Sequence, residues 1–166
     1  IERSAKSGRR QVIGFSYPGD FIGFTTTDEF EYCVVCLQES RLQMFPRGKF
    51  LELVDKNPIL KENARNTGRG LFTQALDQLF ALGQKKAHER LCFLIHQIAR
   101  RQPGSDPDHV DLIMNRQDIA DYLGLTIETV SRSFAKLKKD GTIDIESAHR
   151  VTILDRETLE EMASAC

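Results

Sequence analysis

The side chains best suited to chemistry in this chain of 166 residues lie close together near its C-terminal end. Glu128, Ser131 and Arg132 are spaced so that a helix would place them on one face. Arg can donate two hydrogen bonds to guanine, Glu can accept one from cytosine, and Ser can bond to a base or touch a thymine methyl group. We therefore predict that these three residues read DNA bases in a major groove.

Basic residues around this triplet give the segment a local positive charge. From 126 to 139 there are four basic residues and one acidic residue, a local charge of +3 in a chain whose formal net charge is −1. The near-neutral total excludes a polybasic protein held on nucleic acid by bulk charge. Taken alone, these charges would favour a solvated helix face. The residues expected to contact the DNA backbone are Thr126, Thr129, Lys136, Lys138 and Lys139.

Two short helices are needed to present this face, and the sequence carries the signals for both. Asn115 can cap a first helix, with Asp118 three residues later near the positive end of the helix dipole. Gly124 supplies a turn position open to positive φ, and Thr126 can cap a second helix. This spacing predicts a helix-turn-helix. Its inward face would comprise Ile119, Ala120, Leu123, Leu125, Val130, Phe134 and Leu137.

Strand and helix signals follow this motif. Residues 142–146 and 150–154 are strand-like and are separated by a turn. Asp155 can cap a last helix whose inner face carries Leu159 and Met162. The two strands predict a wing beside the second helix of the motif, so the C-terminal part is expected to be a winged helix-turn-helix.

A long helix with two apolar stripes is predicted upstream, from about residue 58 to residue 82. Pro58 suits its first turn, and Gly83 is expected to break it. Two stripes need two partners, so we predict that one packs on the rest of the chain and the other on a twin helix in a homodimer. Burial of both stripes within one monomer is the alternative. The predicted dimer interface is Ala64, Gly68, Leu71, Ala75, Leu79 and Leu82, and the second stripe is Phe72, Leu76 and Phe80.

The first fifty residues have the pattern of short strands separated by turns. The clearest turn signal is Pro18-Gly19-Asp20. Regularly spaced turns between short apolar runs predict a β-meander or a small barrel. A short helix should then begin near Arg47 and end near Asn57, because the residue before a proline avoids the helical region.

The four cysteines are too few and too scattered for a disulfide framework. The spacing of Cys33 and Cys36 would suit a metal or redox site, but no second pair accompanies them. Because both lie in an apolar strand-like run, we predict that they are buried free thiols. Cys92 is expected in the core of a helical unit, and Cys166 at a mobile terminus.

Several other classes of protein are disfavoured by the sequence. No Ser/His/Asp order, glycine-rich phosphate loop or zinc-protease motif accompanies His96, His109 and Asp111, so no enzyme is predicted. No run approaches 18 apolar residues and no secretion signal is present, so the expected location is the cytoplasm, without membrane contact.

Two segments resemble the CRP/FNR superfamily of bacterial transcription regulators. Residues 118–143, DIADYLGLTIETVSRSFAKLKKDGTI, resemble its DNA-binding signature. Residues 8–24, GRRQVIGFSYPGDFIGF, resemble the effector-barrel segment of the FNR and FixK branches. Ser133 departs from the pattern because many relatives carry an aliphatic core residue there, and Phe134 or Leu137 is expected to fill that space.

The resemblance implies an α+β fold with a partial cyclic-nucleotide-binding-like β-barrel (jelly roll), a dimerisation helix and a C-terminal winged helix-turn-helix. The implied domains are 1–57, 58–84 and 85–166. In that family the E-x-x-S-R residues read the operator, which implies a palindrome of the type TTGAT-N4-ATCAA. Double-stranded DNA, a second copy of the chain and RNA polymerase are the implied partners, and an activator acting in response to oxygen, redox state or an upstream oxygen-responsive system is expected.

The sensor segment departs from the cyclic-nucleotide pattern of the family. Phe24 stands where a glutamate is expected, and Phe30 and Glu31 lie near the positions of the phosphate-binding Arg-Ser pair, so cyclic-nucleotide binding is not expected. No cofactor is evident in this chain. An iron-sulfur cluster would require a cysteine segment before Ile1, and haem binding through His88 or His96 is possible only in principle. A sensor of nitric oxide or haem, or a dimerisation module without specific DNA binding, is the alternative function.

Overall fold

The computed structural model describes residues 1–23, 25, 28–102 and 106–164. Phe24, Cys166 and part of the loop after the third helix, on which some expectations rest, lie outside these ranges. The helices are α1 (Arg47–Lys56), α2 (Pro58–Gln84), α3 (Ala87–Arg101), α4 (Arg116–Leu123), α5 (Ile127–Lys139) and α6 (Arg156–Ala163). The strands are β1 (Glu2–Ser4), β2 (Arg10–Val12), β3 (His109–Asp111), β4 (Ile143–Ser147) and β5 (Arg150–Ile153).

The fold is α+β, and its main core lies in the C-terminal half. There α3 to α6 pack with a three-stranded antiparallel sheet of order β3-β5-β4. β4 and β5 are the predicted wing, and β5 lies between the other two strands. The largest fully buried side chains all belong to this unit: Leu91, Leu94, Ile95, Ile98, Val110, Leu112, Ile119, Leu123, Val130, Leu137, Ile143 and Leu159.

Strand β3 was not predicted from the sequence. It contains only three residues, His109, Val110 and Asp111, which is too short a run to establish a strand period in the sequence. Its pairing with β5 decides its conformation, with Val110 opposite Val151. β3 forms the edge strand of the sheet, next to β5 of the wing.

The long helix forms as predicted, but the expected break at Gly83 is wrong. Asn57 caps α2 by accepting hydrogen bonds from the backbone N–H groups of Ile59 and Leu60. The helix then runs through Gly83 to Gln84, since one helical glycine costs only about 1 kcal/mol. It ends where Lys85 takes an extended conformation.

Both apolar stripes of α2 remain largely exposed in the single chain. Ala81 is the one buried residue of α2. Leu79 is 69 % exposed and Phe72 66 % exposed. The alternative in which one monomer buries both stripes is therefore wrong. The prediction that one stripe packs on the rest of the chain is also wrong, because Phe72, Leu76 and Phe80 stay exposed as well. The homodimer stays a prediction. Among the described residues, no helix is both long enough and apolar enough to span a membrane.

The N-terminal segment forms fewer strands than its sequence pattern predicts. β1 and β2 make an antiparallel hairpin, with Arg3 opposite Gln11, and Glu2 makes one further bridge to Cys33. No other strand forms among the described residues of 13–46. A strand needs a neighbour for its backbone N–H and C=O groups, and the run at 32–37 has only that single bridge.

The prediction of buried thiols at Cys33 and Cys36 is wrong, because both are exposed. Their apolar run does not pair as a strand over its length, so residues 33–37 stay exposed. Cys92, in contrast, is fully buried in α3, as predicted.

Candidate DNA-binding site

The helix-turn-helix begins with a reciprocal cap at α4. Asn115 Oδ1 accepts from the backbone N–H of Asp118 at 2.9 Å, and Asp118 Oδ2 accepts from the backbone N–H of Asn115 at 3.2 Å. At the other end, Gly124 takes φ 63°, a left-handed conformation suited to glycine. The backbone N–H of Leu125 then donates to the Ala120 carbonyl at 3.0 Å, which closes the turn. The caps and the turn residue are those predicted.

Helix α5 starts directly after this turn. The hydroxyl of Thr126 accepts from the backbone N–H of Thr129 at 3.2 Å, which confirms the predicted cap. Val130, Phe134 and Leu137 are buried and form the inner face, as predicted. Ser133 is also buried, and its hydroxyl donates to the Thr129 carbonyl at 2.8 Å. The polar side chain is therefore accommodated by an internal hydrogen bond within α5.

A contact between α4 and α5 escaped the sequence analysis. The guanidinium carbon of Arg116 lies 3.6 Å from the centre of the Phe134 ring, a cation–π contact. Burial lowers the pKa of Arg116, and its Nη1 has no hydrogen-bond partner among the described residues. In the sequence, the only signal for this contact is an arginine directly after the cap residue of α4 and an aromatic residue on α5. The contact fixes α5 against the first turn of α4.

The three predicted base-reading side chains lie exposed on the outer face of α5. Glu128, Ser131 and Arg132 are all solvent-accessible, in the N-terminal part of the helix. Arg132 Nη2 donates to the Thr129 hydroxyl at 3.2 Å, which orients the guanidinium along the helix. Hydrogen bonds from its own backbone N–H and from Thr126 lower the pKa of Glu128, so its carboxylate is ionised and can accept. The face thus offers both donors and acceptors to a base edge.

Two of the predicted backbone-contacting lysines are paired within the protein. Lys136 Nζ lies 2.6 Å from Asp140 Oδ2, and Lys138 Nζ lies 2.8 Å from Asp144 Oδ1. These hydrogen bonds lower the pKa of both aspartates. Lys139 makes no ion pair with a described residue. Exposed pairs contribute only about 0–1 kcal/mol, so a phosphate can compete for these lysines, but the local charge is smaller than the sequence count suggests.

The wing is attached to β3 by polar contacts at its tip. Arg150 Nε donates to Asp111 Oδ1 at 2.6 Å, and His149 Nδ1 lies 3.0 Å from the Leu112 carbonyl. His109, on the same strand, has its Nδ1 2.8 Å from Asp106 Oδ2. His109 is thus engaged in a surface contact with Asp106, and Asp111 in a surface ion pair with Arg150. Among the described residues, no three His, Cys, Asp or Glu side chains group as a metal site.

Comparison with known proteins agrees with this geometry. Residues 89–162 match the family model described as a Crp-like helix-turn-helix domain. The chain is 36% identical over 160 residues to the nitrogen fixation regulation protein FixK of Azorhizobium caulinodans, an alignment that covers 95% of this chain and 64% of that protein. It is 34% identical over 176 residues to the transcriptional activator protein FnrL of Cereibacter sphaeroides, covering 98% of this chain and 68% of the relative.

A solved structure is similar over the same extent. FixK2 from Bradyrhizobium japonicum superposes with a TM-score of 0.84 at 25% sequence identity, over 99% of this chain and 82% of that chain. The chain spans about two thirds of the length of the FixK and FnrL relatives. These relatives are transcription regulators and not enzymes, and the likeness extends from the N-terminal hairpin to the wing. The chain therefore belongs to the CRP/FNR family of DNA-binding transcription regulators, in its FixK-like branch.

Proposed function

We propose that this chain acts as a homodimeric, sequence-specific activator on a palindrome of the type TTGAT-N4-ATCAA. The observation that carries the proposal is the exposed triplet Glu128, Ser131 and Arg132 on the capped N-terminal half of α5. Its donors and acceptors match those of a G·C and a neighbouring A·T pair in a major groove. The buried inner face of α5 holds these side chains on a rigid element.

The homodimer is supported by the apolar face that α2 leaves exposed. Several apolar residues along one side of this helix stay exposed among the described residues, including Leu71 at 41 % and Leu79 at 69 % exposure. A twin helix would remove this surface from water, which stabilises association. Two α5 helices related by a two-fold axis would then lie in successive major grooves, about 34 Å apart.

The backbone contacts proposed are those of Thr126, Thr129, Lys136, Lys138 and Lys139. Each phosphate neutralised by a lysine releases counterions, so affinity should fall steeply with salt. RNA polymerase is proposed as the further partner, and oxygen, redox state or an upstream oxygen-responsive system as the signal. The relatives support this signal because they are named for control of nitrogen fixation and of fumarate and nitrate reduction. No cofactor in this chain is part of the proposal.

The test is a fluorescence anisotropy titration with a TTGAT-N4-ATCAA duplex and a scrambled duplex at several salt concentrations. Arg132→Ala should cost about 1–3 kcal/mol on the palindrome and relax selectivity at one guanine. Lys138→Ala should weaken both duplexes alike and shallow the salt slope by about one. Arg9→Ala removes the same charge from an exposed turn and serves as the control.

Two results would contradict the proposal. If Arg132→Ala left the discrimination between the duplexes unchanged, this residue would not read a base. If the unaltered protein formed dimers without salt-dependent affinity for either duplex, the chain would be a dimerisation module.

A further inference from the structure

The end of α4 just before the turn is a point where three other parts of the chain meet. The last carbonyls of a helix have no partner within the helix, and they lie at the negative end of its dipole. In α4, these carbonyls accept hydrogen bonds from side chains of three separate elements. Gln11 of β2 donates to the Asp121 carbonyl, Gln78 of α2 donates to the Tyr122 carbonyl at 2.7 Å, and Arg90 of α3 donates to the Leu123 carbonyl at 3.0 Å.

Arg10 of β2 adds a charged contact on the side of the same helix. Its Nη2 lies 2.6 Å from Asp118 Oδ1 and 2.7 Å from Asp121 Oδ2, and its Nε lies 2.8 Å from the latter oxygen. Its Nη1 donates to Glu2 at 3.1 Å within the hairpin. One guanidinium therefore joins the N-terminal hairpin to the first helix of the helix-turn-helix.

The contact is shielded from water, which strengthens it relative to an ordinary surface ion pair. The side chains of Asp118 and Asp121 are 7% and 15% exposed, and that of Arg10 is 33% exposed. Without Arg10, two carboxylates one helical turn apart would face each other with no cation between them. Asp118 also takes part in the cap of α4, so the contact reaches the start of the motif as well as its end.

The hairpin lies on α4 and leaves the reading face of α5 free. Glu128, Ser131 and Arg132 are exposed, and in the part of the chain that the structure describes none of them hydrogen-bonds to the N-terminal segment. A contact that prevented DNA binding would have to cover this face of α5 or move α5 away from the DNA. The contact at Arg10 instead fixes the angle of the helix-turn-helix relative to the hairpin and α2.

We propose that Arg10 is a positioning residue for DNA recognition, which couples the N-terminal hairpin to the orientation of the reading helix through Asp118 and Asp121. The inference rests on the proposed DNA binding. In a homodimer, both reading helices must keep a set separation to enter two half-sites together. Loosening the hairpin from α4 should reduce binding to the palindrome more than binding to a single half-site.

The experiment compares Arg10→Gln with Arg9→Gln in the full chain. Both variants lose one positive charge from the same hairpin, but the Arg9 side chain is exposed and donates to the nearby Ser7 hydroxyl, with no ion pair to a described residue. Anisotropy titrations would use the TTGAT-N4-ATCAA duplex and a duplex with one half-site. We expect Arg10→Gln to weaken palindrome binding roughly tenfold and half-site binding much less, while Arg9→Gln stays within about twofold.

A double-mutant cycle separates this role from general destabilisation. Asp121→Asn should weaken palindrome binding by a smaller amount, because Asp118 still holds Arg10. The Arg10→Gln/Asp121→Asn double variant should be little worse than Arg10→Gln alone, because Arg10→Gln already removes the contact that Asp121→Asn loses. Thermal melting by circular dichroism sets a temperature at which every variant is folded. Arg10→Lys keeps the charge but cannot span two carboxylates, so it should give an intermediate loss.

Hydrogen exchange gives a readout that does not require DNA. The backbone N–H groups of Arg10–Val12 and α4 should exchange faster in Arg10→Gln than in Arg9→Gln. Equal palindrome affinity in these two variants, a tighter complex with Arg10→Gln, or additive effects in the double variant would overturn the proposal. If the unaltered protein bound no duplex, the proposed function would fail, and exchange would still decide whether Arg10 holds the hairpin on α4.

Discussion

Replacing Gly124 with alanine probes the turn on which the helix-turn-helix depends. Gly124 has φ 63°, and an alanine there should lose about 1–2 kcal/mol from the left-handed conformation. The reduced freedom of the unfolded chain offsets about 0.4–1 kcal/mol of this loss. The net cost of backbone strain is therefore about 1 kcal/mol.

The surroundings of Gly124 add a second cost. A Cβ built at this position would lie 3.3 Å from Leu82 Cδ2 and 3.7 Å from Arg90 Nη1. Leu82 is half-buried at the end of α2 and must move by a few tenths of an ångström. Mild overpacking of this kind adds about 1 kcal/mol, so Gly124→Ala should cost about 2 kcal/mol in total.

Gly141 offers a matched control after α5. It has a similar φ of 75°, but nothing lies within 4 Å of the Cβ that an alanine would add. Gly141→Ala should therefore cost about 1 kcal/mol from strain alone. The difference between the two variants isolates the contact between the turn and the end of α2.

Urea unfolding followed by circular dichroism, at one fixed protomer concentration, measures both free energies of unfolding. Equal losses in the two variants would show that the turn does not pack on Leu82. Losses below about 0.3 kcal/mol in both variants would refute the argument from left-handed strain.

Two further outcomes test burial and association. Iodoacetamide should label the exposed Cys33 and Cys36 in the native protein, and peptide mass spectrometry detects the label. Cys92 should be labelled only in urea, because burial raises the pKa of its thiol to about 12. Rapid labelling of Cys92 in the native protein would contradict the core packing. Leu79→Glu should shift the dimer towards monomer in analytical ultracentrifugation, whereas Leu154→Glu, at a similarly exposed leucine outside α2, should not. An unchanged dimer in Leu79→Glu would exclude this face of α2 as the interface.

Features that depend on neighbours in sequence were predictable. The caps at Asn115, Thr126 and Asp155 each act within three residues, so their chemistry could be read directly from the chain. Gly124 was recognisable for the same reason, since a left-handed turn position favours one residue type. The roles assigned to the outer face of α5 remain predictions.

Features that depend on distant partners were not predictable. Cys33 and Cys36 have an apolar, strand-like environment in sequence, yet they are exposed because their run lacks pairing strands. Gly83 was expected to break α2, but the helical hydrogen bonds around it outweigh the low helix propensity of a single glycine.

The sequence by itself determined the helix-turn-helix, because its caps, turn and apolar spacing are local interactions that point to one conformation. Only the tertiary structure decided that β3 joins the wing and that Arg10 meets Asp118 across 108 residues of chain. No local rule links an arginine in a hairpin to an aspartate in a distant helix. Such a contact exists only when packing of the intervening elements brings both side chains to the same place.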